Sequence, residues 1–419
     1  MITILYIVFT SIMFAQGIAI MYFNLYIWLD EDRLDRILSP KEFSKPNHTF
    51  TIMLPAYHEE AVLGETIKKV AKQNYPVGLY EVLIILQPSD SGTIEVAERA
   101  VKEAEIKNAT ILIVDPDHTP LNKPYQLNYA LENTNNELAV IFDSEDEVHE
   151  DILNVANTIY STKEVDILQC GVQLMNYSKP WFASHNVLEY YFWFKSRMHA
   201  HMKIGAVPLG GNTVFFRSSQ LRRVKGWNEN CLTEDADLGL RLSQHGAKMR
   251  ASYDPIHVTK EETPHNIDQF IKQRTRWSQG FIQVVKFGDW RRLGSLKKSA
   301  LSIYLLGFPI FHSLLILTTP IFIVIGLVTP LPFALSLLSF TPVFIVMMMI
   351  AIQLVGLYEF VREQKLKFSI WPFLFFIPTF IPYQLMLGYG ALRATYREFK
   401  GLNNWEKTAH SGLHRESSK

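Results

Sequence analysis

Leu138-Ala139-Val140-Ile141-Phe142-Asp143-Ser144-Glu145-Asp146 is the stretch whose reading decides the fold. Its five apolar residues lack the in–out alternation of a half-exposed strand, so Leu138–Phe142 is expected to be a strand buried on both faces. The strand runs into clustered carboxylates, which cannot be buried without a cation. Working outward, the same pattern recurs at Phe50–Leu54, Val82–Leu86 and Thr110–Val114. Between these runs lie helical stretches at Ala61–Gln73, Ile94–Glu105 and Tyr125–Glu132. Apolar strands alternating with amphipathic helices imply an α/β domain with a parallel sheet covered on both faces. Ligands of such sheets bind at the carboxyl ends of the strands, and polar motifs follow Leu54, Leu86 and Phe142.

The flanks are of a different kind. Residues Ile2–Leu29 carry no formal charge and suffice to cross about 30 Å of hydrocarbon. No basic n-region or small-x-small site marks the run as a cleaved signal. Arg33, Arg36, Lys41 and Lys45 follow at once, which predicts an outside amino terminus and a cytoplasmic catalytic region. Leu301–Val328, Leu335–Leu357 and 370–392 are further apolar blocks, with a turn at Thr329–Pro332 between the first two. The third block contains Pro372, Pro378 and Pro382 and is followed by Arg393, Arg397, Lys400 and Lys407. A broken or re-entrant element that returns this basic tail to the cytoplasm is therefore expected. Trp181–Ile204 and Ile267–Trp290 mix aromatic and basic residues, as helices at a membrane interface do. The expected division is a transmembrane helix at 1–29, a soluble domain at 47–265, interfacial helices at 266–298, a membrane region at 299–392 and a basic tail at 393–419. The chain is a multi-pass protein of the cell membrane on this reading, with the lipid bilayer as a partner.

Formal net charge over the 419 residues is zero, so no bulk field points to nucleic acid. Cys170 and Cys231 have neither disulfide-framework nor metal-ligand spacing and read as buried reduced thiols. His185, His199 and His201 lack a Cys or carboxylate in register for zinc and read as interfacial polar residues.

Three motifs carry chemistry. Asp143 and Glu145 point the same way in extended backbone and can share one hard cation, Mg²⁺ or Mn²⁺, with Asp146 as a substitute for Glu145. Thr233-Glu234-Asp235 opens a helix, Asp235–Gln244, where Thr233 suits the N-cap and the dipole favours ionised carboxylates. A carboxylate fixed there can act as general base. Gln273, Arg276 and Trp277 share one helical face, where Arg276 can hold a diphosphate and Trp277 can stack on a sugar.

An acidic cluster, then Thr-Glu-Asp, then Gln-x-x-Arg-Trp, all ahead of apolar spans, resembles the membrane-bound, inverting family-2 glycosyltransferases, which include cellulose, chitin and hyaluronan synthases. The resemblance covers roughly Phe50–Trp290. It implies a Rossmann-like GT-A nucleotide-sugar-binding domain, interfacial helices and attached transmembrane helices. It further implies that Pro55, Tyr57 and Glu59 border the nucleotide, that Lys123 supports it, and that Asp143 and Glu145 serve donor phosphates and metal. Asp235 becomes the base, Arg276 meets the donor diphosphate, and Gln273, Trp277, Gly211 and Asn212 face the acceptor and transferred sugar. Glu234 points about 100° away from Asp235 around a helix and is expected to be secondary. The sequence departs from the family at Gln87-Pro88-Ser89-Asp90, where only Asp90 is available to read the base. The donor is expected to be a nucleotide sugar, a UDP-sugar first. The acceptor is expected to be a polysaccharide or a lipid, with single transfer to a glycolipid as the alternative to processive synthesis. A transporter is the distant alternative, but the apolar blocks hold no carboxylate or cation to couple transport.

Overall fold

The computed structural model describes residues 2–328, 333–338, 340–406 and 412–415, and the predicted turn at Thr329–Pro332 lies outside them. Its strands are β1 (Phe50–Ala56), β2 (Tyr80–Leu86), β3 (Ala109–Ile113), β4 (Leu138–Ile141), β5 (Ile167–Cys170), β6 (Val172–Leu174), β7 (Val214–Arg217), β8 (Met249–Ser252) and β9 (Thr259–Glu261). Seven form one sheet in the order β3-β2-β1-β4-β7-β5-β8, while β6 and β9 pair beside it. The first four strands are parallel, as their continuous apolar runs predict. Period-two geometry sends Ile52, Ile84 and Val140 into one core and Met53, Ile85 and Ile141 into another.

The sheet is mixed rather than wholly parallel, because β7 runs antiparallel to both β4 and β5. The cause lies in how the chain enters β7. The helix Met198–Ile204 ends at Gly205, whose φ of 80° suits a residue without Cβ. The chain then passes the carboxyl edge of β4 before entering β7, and Ile141 pairs with Val214. This reversal sets Gly210-Gly211-Asn212 beside Asp143. The sheet order also reverses direction between β1 and β4, the topological switch point at which α/β sheets bind ligands.

Among the described residues, four helices are long and apolar enough to cross a membrane: Thr3–Leu25, Leu296–Val328, Thr341–Glu363 and Trp371–Phe399. Exposed apolar side chains such as Ile321, Phe344, Met347 and Val355 cover their outer faces, a surface that suits lipid rather than water. The third apolar block is not broken. Trp371–Phe399 is one helix, with Pro378 and Pro382 inside it. It lies along the helix Ile267–Phe287, with Tyr383 against Phe270, Gly390 against Arg274 and Arg397 Nε donating to Gln279. The Lys367 carbonyl, just before it, accepts a hydrogen bond from the Tyr177 hydroxyl, so the start of the helix meets the sheet domain and its end meets the helix Ile267–Phe287.

The stretch Trp181–Ile204 is two helices, Ala183–Phe192 and Met198–Ile204, joined by a π-helical turn at Trp193–Arg197. It is wedged between the sheet and the apolar helices, not laid on a surface. Its histidines follow suit: His201 stacks on Phe23 at 4.9 Å and His185 on Tyr383 at 4.8 Å. Burial pushes both imidazoles down to about 3, so they are neutral packing groups. Cys170 and Cys231 are buried and free.

One buried cation ties the wedge to its neighbours. Lys195 reaches Glu359 at 2.9 Å, Glu363 at 2.5 Å and the Tyr191 hydroxyl at 2.8 Å, with its ammonium 5.0 Å from the Trp28 ring. Losing the cation would strand two partly buried carboxylates, at a cost of about 3 kcal/mol. Lys195→Met is therefore expected to lower the unfolding midpoint of the detergent-solubilised protein, and adding Glu359→Gln and Glu363→Gln should restore most of it. An unchanged midpoint for the single variant would remove this joint from the account.

Candidate active site

A cavity of about 560 Å³ opens at the switch point. Pro55 and Tyr57 border it from the end of β1, and Glu59 follows them. Asp143 and Glu145 come from the end of β4. Lys123 opens the helix Lys123–Glu132, whose N-cap Asn122 accepts from the Tyr125 amide. That fixed start aims Lys123 at the centre, where its Nζ donates to Asp143 and, at 3.2 Å, to the Gly211 carbonyl. Burial alone would lower the lysine's pKa, but Asp143, Glu234 and Asp235 together hold it above its ordinary value.

Glu234 and Asp235 begin the helix Glu234–Gln244, and both line the cavity, so Glu234 is not turned away as helical spacing suggested. Thr233 is the N-cap by position, but its side chain caps nothing. The cause is the helix Ile267–Phe287, which crosses here at its closest approach. A Cβ on Gly280 would collide with the Thr233 side chain and backbone nitrogen, and the Leu232 amide donates to Gln283 Oε1 at 3.0 Å. Only a glycine lets the two helices touch, and this contact brings Gln273, Arg276 and Trp277 to the same cavity wall.

Burial dominates the carboxylates. It pushes Glu234 up to about 7, with the Asp235 charge adding to it. Asp235 is also raised by burial, which outweighs its own Ala236 amide bond at 2.8 Å and the attraction of Lys123 and Arg276. The helix dipole therefore does not hold this carboxyl low, as its position at a helix start had suggested. A Cβ on Gly211 would lie 3.4 Å from Asp235 Oδ2 and 3.9 Å from Lys123 Nζ, so the bare backbone keeps the space between them open.

Other predicted residues lie elsewhere. Asp146 is fully buried behind the wall, accepting from the Asp143 amide at 2.8 Å and from Asn212 Nδ2 at 2.9 Å. Burial and the charges of Glu261, Asp143 and Glu145 raise it well above a normal aspartate. It braces the acidic loop, and Asn212 is committed to it and to Glu261. Asp90 is not on the cavity wall. It caps the helix Ser91–Glu103 through the Thr93 amide and pins the His58 amide at 2.5 Å. Burial would raise the Asp90 carboxyl, but the hydrogen bonds from the His58 and Thr93 groups hold it below its ordinary value. Gln87 borders the cavity in its place.

The sequence reading missed several wall residues. Glu189 pairs with Arg274 at 2.5 Å, and the Arg276 guanidinium lies 4.3 Å from the Trp405 ring of the tail. Glu261 of β9 lines the sheet end, while Tyr190, Trp193, Phe194 and Arg197 complete the side facing the apolar helices, where Leu305, Phe308, Pro309, His312 and Leu387 continue the wall. The cavity is thus acidic at the sheet and apolar at the membrane helices. At the acidic end the candidate ligands are carboxylate oxygens, and Asp143, Glu145, Glu234, Asp235 and Glu261 outnumber Lys123 and Arg276 there, a set that suits a hard divalent cation. Two other His–carboxylate groups, His149–Asp151–His257 and His58–Glu60–Asp90, lie apart from Asp143 and Glu145.

The family model described as "Glycosyltransferase like family 2" matches residues 46–280. A β-monoglucosyldiacylglycerol synthase of Nostoc sp. (strain PCC 7120) is 28% identical over 235 residues, 56% of this chain and 49% of that one. A poly-β-1,6-N-acetyl-D-glucosamine synthase of Staphylococcus epidermidis is 23% identical over 318 residues, 75% of this chain and 73% of that one. The chain spans about half the length of the first curated relatives it matches. Among solved structures, the mannosyltransferase PcManGT from Pyrobaculum calidifontis, in complex with GDP-Man and Mn²⁺, shares the fold with a TM-score of 0.64. It is 15% identical, and the match covers 95% of this chain and 100% of that one. The matched family segment is more than half of the chain and holds every carboxylate on the cavity wall, and the chain belongs to glycosyltransferase family 2.

Proposed function

We propose that this glycosyltransferase moves a sugar from a nucleotide-diphosphate donor, a UDP-sugar first, onto a lipid acceptor by direct displacement with inversion. The observation that carries the reading is the two-ended cavity, with carboxylates at the sheet and apolar wall residues in the helix Leu296–Val328. A lipid can enter from the apolar end and present a hydroxyl at the acidic end. The Nostoc relative, named a β-monoglucosyldiacylglycerol synthase, supports it. Polymer synthesis is the second reading, supported by the Staphylococcus relative. With only four candidate spans among the described residues, the lipid reading is preferred.

In the mechanism, Asp235 takes the proton of the acceptor hydroxyl as that oxygen bonds to the anomeric carbon and the carbon–diphosphate bond breaks. An α-linked donor then yields a β-linked product. Glu234 shares the buried field and holds no direct role in the transfer. Arg276 meets the departing diphosphate, with Lys123 steadying Asp143 beneath it. Gln273 and Trp277 bear on acceptor and sugar, as does Gly211, while Asn212 braces Asp146 and Glu261 behind them. Pro55, Tyr57 and Glu59 border the nucleotide. Mg²⁺ or Mn²⁺, held by Asp143 and Glu145, would neutralise charge on the donor phosphates when bound. For topology, we infer three crossings, with Trp371–Phe399 lying on the cytoplasmic face beside Ile267–Phe287. This arrangement keeps Arg393, Arg397 and Lys400 inside without breaking a helix, in accord with the sign rule.

Three outcomes test these readings. Asp235→Asn keeps size and hydrogen-bonding capacity, so it should still bind nucleotide diphosphate yet transfer sugar at least about a hundredfold more slowly. Normal transfer by that variant, with Glu234→Gln dead, would make Glu234 the base.

The pH profile follows from burial. A base must be ionised, and both carboxyls are raised, with Glu234 at about 7. Activity should therefore fall at a higher pH than a free aspartate would give, with the two carboxyls titrating as a coupled pair. Lys123 favours the ionised forms, so Lys123→Met should move that limb to higher pH. A profile flat down to pH 5 would contradict the assignment.

Topology is read by an impermeant thiol reagent on intact cells. It should label Phe333→Cys but reach Lys400→Cys only after permeabilisation. Labelling of Lys400→Cys in intact cells would rule out the cytoplasmic tail.

A further inference from the structure

The π-helical turn Trp193–Arg197 sits on the cavity wall between its acidic and apolar ends. A π turn inserts a residue into a helix and re-aims the side chains around it, and such turns recur at functional sites. Here it turns Trp193, Phe194 and Arg197 to the cavity. The Arg197 guanidinium lies 5.8 Å from the Trp193 ring and 5.5 Å from the Phe308 ring of the helix Leu296–Val328. Its Nε is buried without a hydrogen-bond partner. Among the described residues no carboxylate lies within ion-pairing distance of it. The carboxylate on its own helix, Glu189, is already held by Arg274 at 2.5 Å.

An arginine walled by aromatic rings and left unpaired is costly unless an anion completes it. The other cations of the cavity are accounted for: Lys123 is bonded to Asp143, and Arg276 faces the donor end. Arg197 stands farther along the wall, where it passes into the apolar helices. A planar guanidinium with free donors suits a phosphate, which it can hold through two parallel bonds.

Resting on the lipid-acceptor reading, we propose that Arg197 is the binding site for a phosphate on the acceptor lipid. The acceptor then carries a phosphate at the level of Arg197 and, beyond it, a separate free hydroxyl that reaches Asp235. A base is needed only because that hydroxyl is not itself the phosphate. A phospholipid headgroup and a polyprenyl-diphosphate-linked saccharide both have this chemistry, and diacylglycerol does not.

The test uses the full-length protein with phosphatidylcholine vesicles doped with phosphatidylglycerol, a polyprenyl-diphosphate-linked monosaccharide or diacylglycerol. Transfer should favour one of the two phosphate-bearing lipids, and the arm that responds identifies the source. Arg197→Gln should raise the KM for that lipid about tenfold, the worth of one charge-assisted hydrogen bond. Affinity for nucleotide diphosphate should be unchanged, and Arg197→Lys should recover part of the loss. Equal use of diacylglycerol, with Arg197→Gln leaving every lipid's KM unaltered, would overturn the inference while leaving lipid transfer standing. If no lipid accepts sugar, the functional reading fails. Retention of phosphatidylglycerol by the solubilised protein, read by native mass spectrometry, then decides the inference alone. Loss in Arg197→Gln supports it, and equal retention refutes it.

Discussion

Everything at the site depends on one buried ammonium. Lys123 bonds Asp143 and the Gly211 carbonyl, and its field also reaches Glu234 and Asp235. Carboxylates gathered in a half-dry cavity repel one another and lose their hydration, which is why Glu234 and Asp146 are raised. The lysine offsets that cost from the start of a helix that cannot shift, because Asn122 caps it and Gln126 bonds the Ala56 and Ile85 carbonyls. The strands fix where the acids stand, the helix fixes the cation, and their separation leaves the open volume between.

The second constraint is the close contact of Gly280 with Thr233. It draws the membrane-side helix onto the acidic helix start and delivers Arg276 and Trp277 to the cavity. The same helix is clasped by Trp371–Phe399, through Arg397 to Gln279 and Glu398 to Gln283 and Lys286. Tail residues continue the clasp. Gln279 donates to the Leu402 carbonyl at 2.9 Å, and Arg415 donates to the Glu145 carbonyl at 3.0 Å. Sheet, interfacial helix and tail thus converge on one volume, and a disturbance at the apolar helices has a short physical route to the carboxylates.

Much of this was legible in the sequence where the signal is local. Unbroken apolar runs gave the parallel strands, and spacings of three and four put Gln273, Arg276 and Trp277 on one face. Nothing local marks Val214–Arg217 as antiparallel, because its direction is set by the path from Gly205 across the sheet edge. Helical spacing turned Glu234 away, whereas the helix starts at the cavity and both of its first two residues line the wall. Burial is equally invisible: Asp146 and Asp90 look like site acids in the sequence, yet one braces a loop and the other caps a helix. Arg197, His312 and Trp405 join the cavity from distant segments that no single motif connects.

The most direct measurement is the fate of the sugar. Purified protein, vesicles carrying phosphate-bearing lipids and a panel of radiolabelled nucleotide sugars would be incubated, extracted with organic solvent, and the product's anomeric linkage read by proton NMR. The account predicts label in the lipid phase, joined through a β linkage to a lipid hydroxyl. An α linkage, or label recovered only as free sugar or water-soluble polymer, would contradict it.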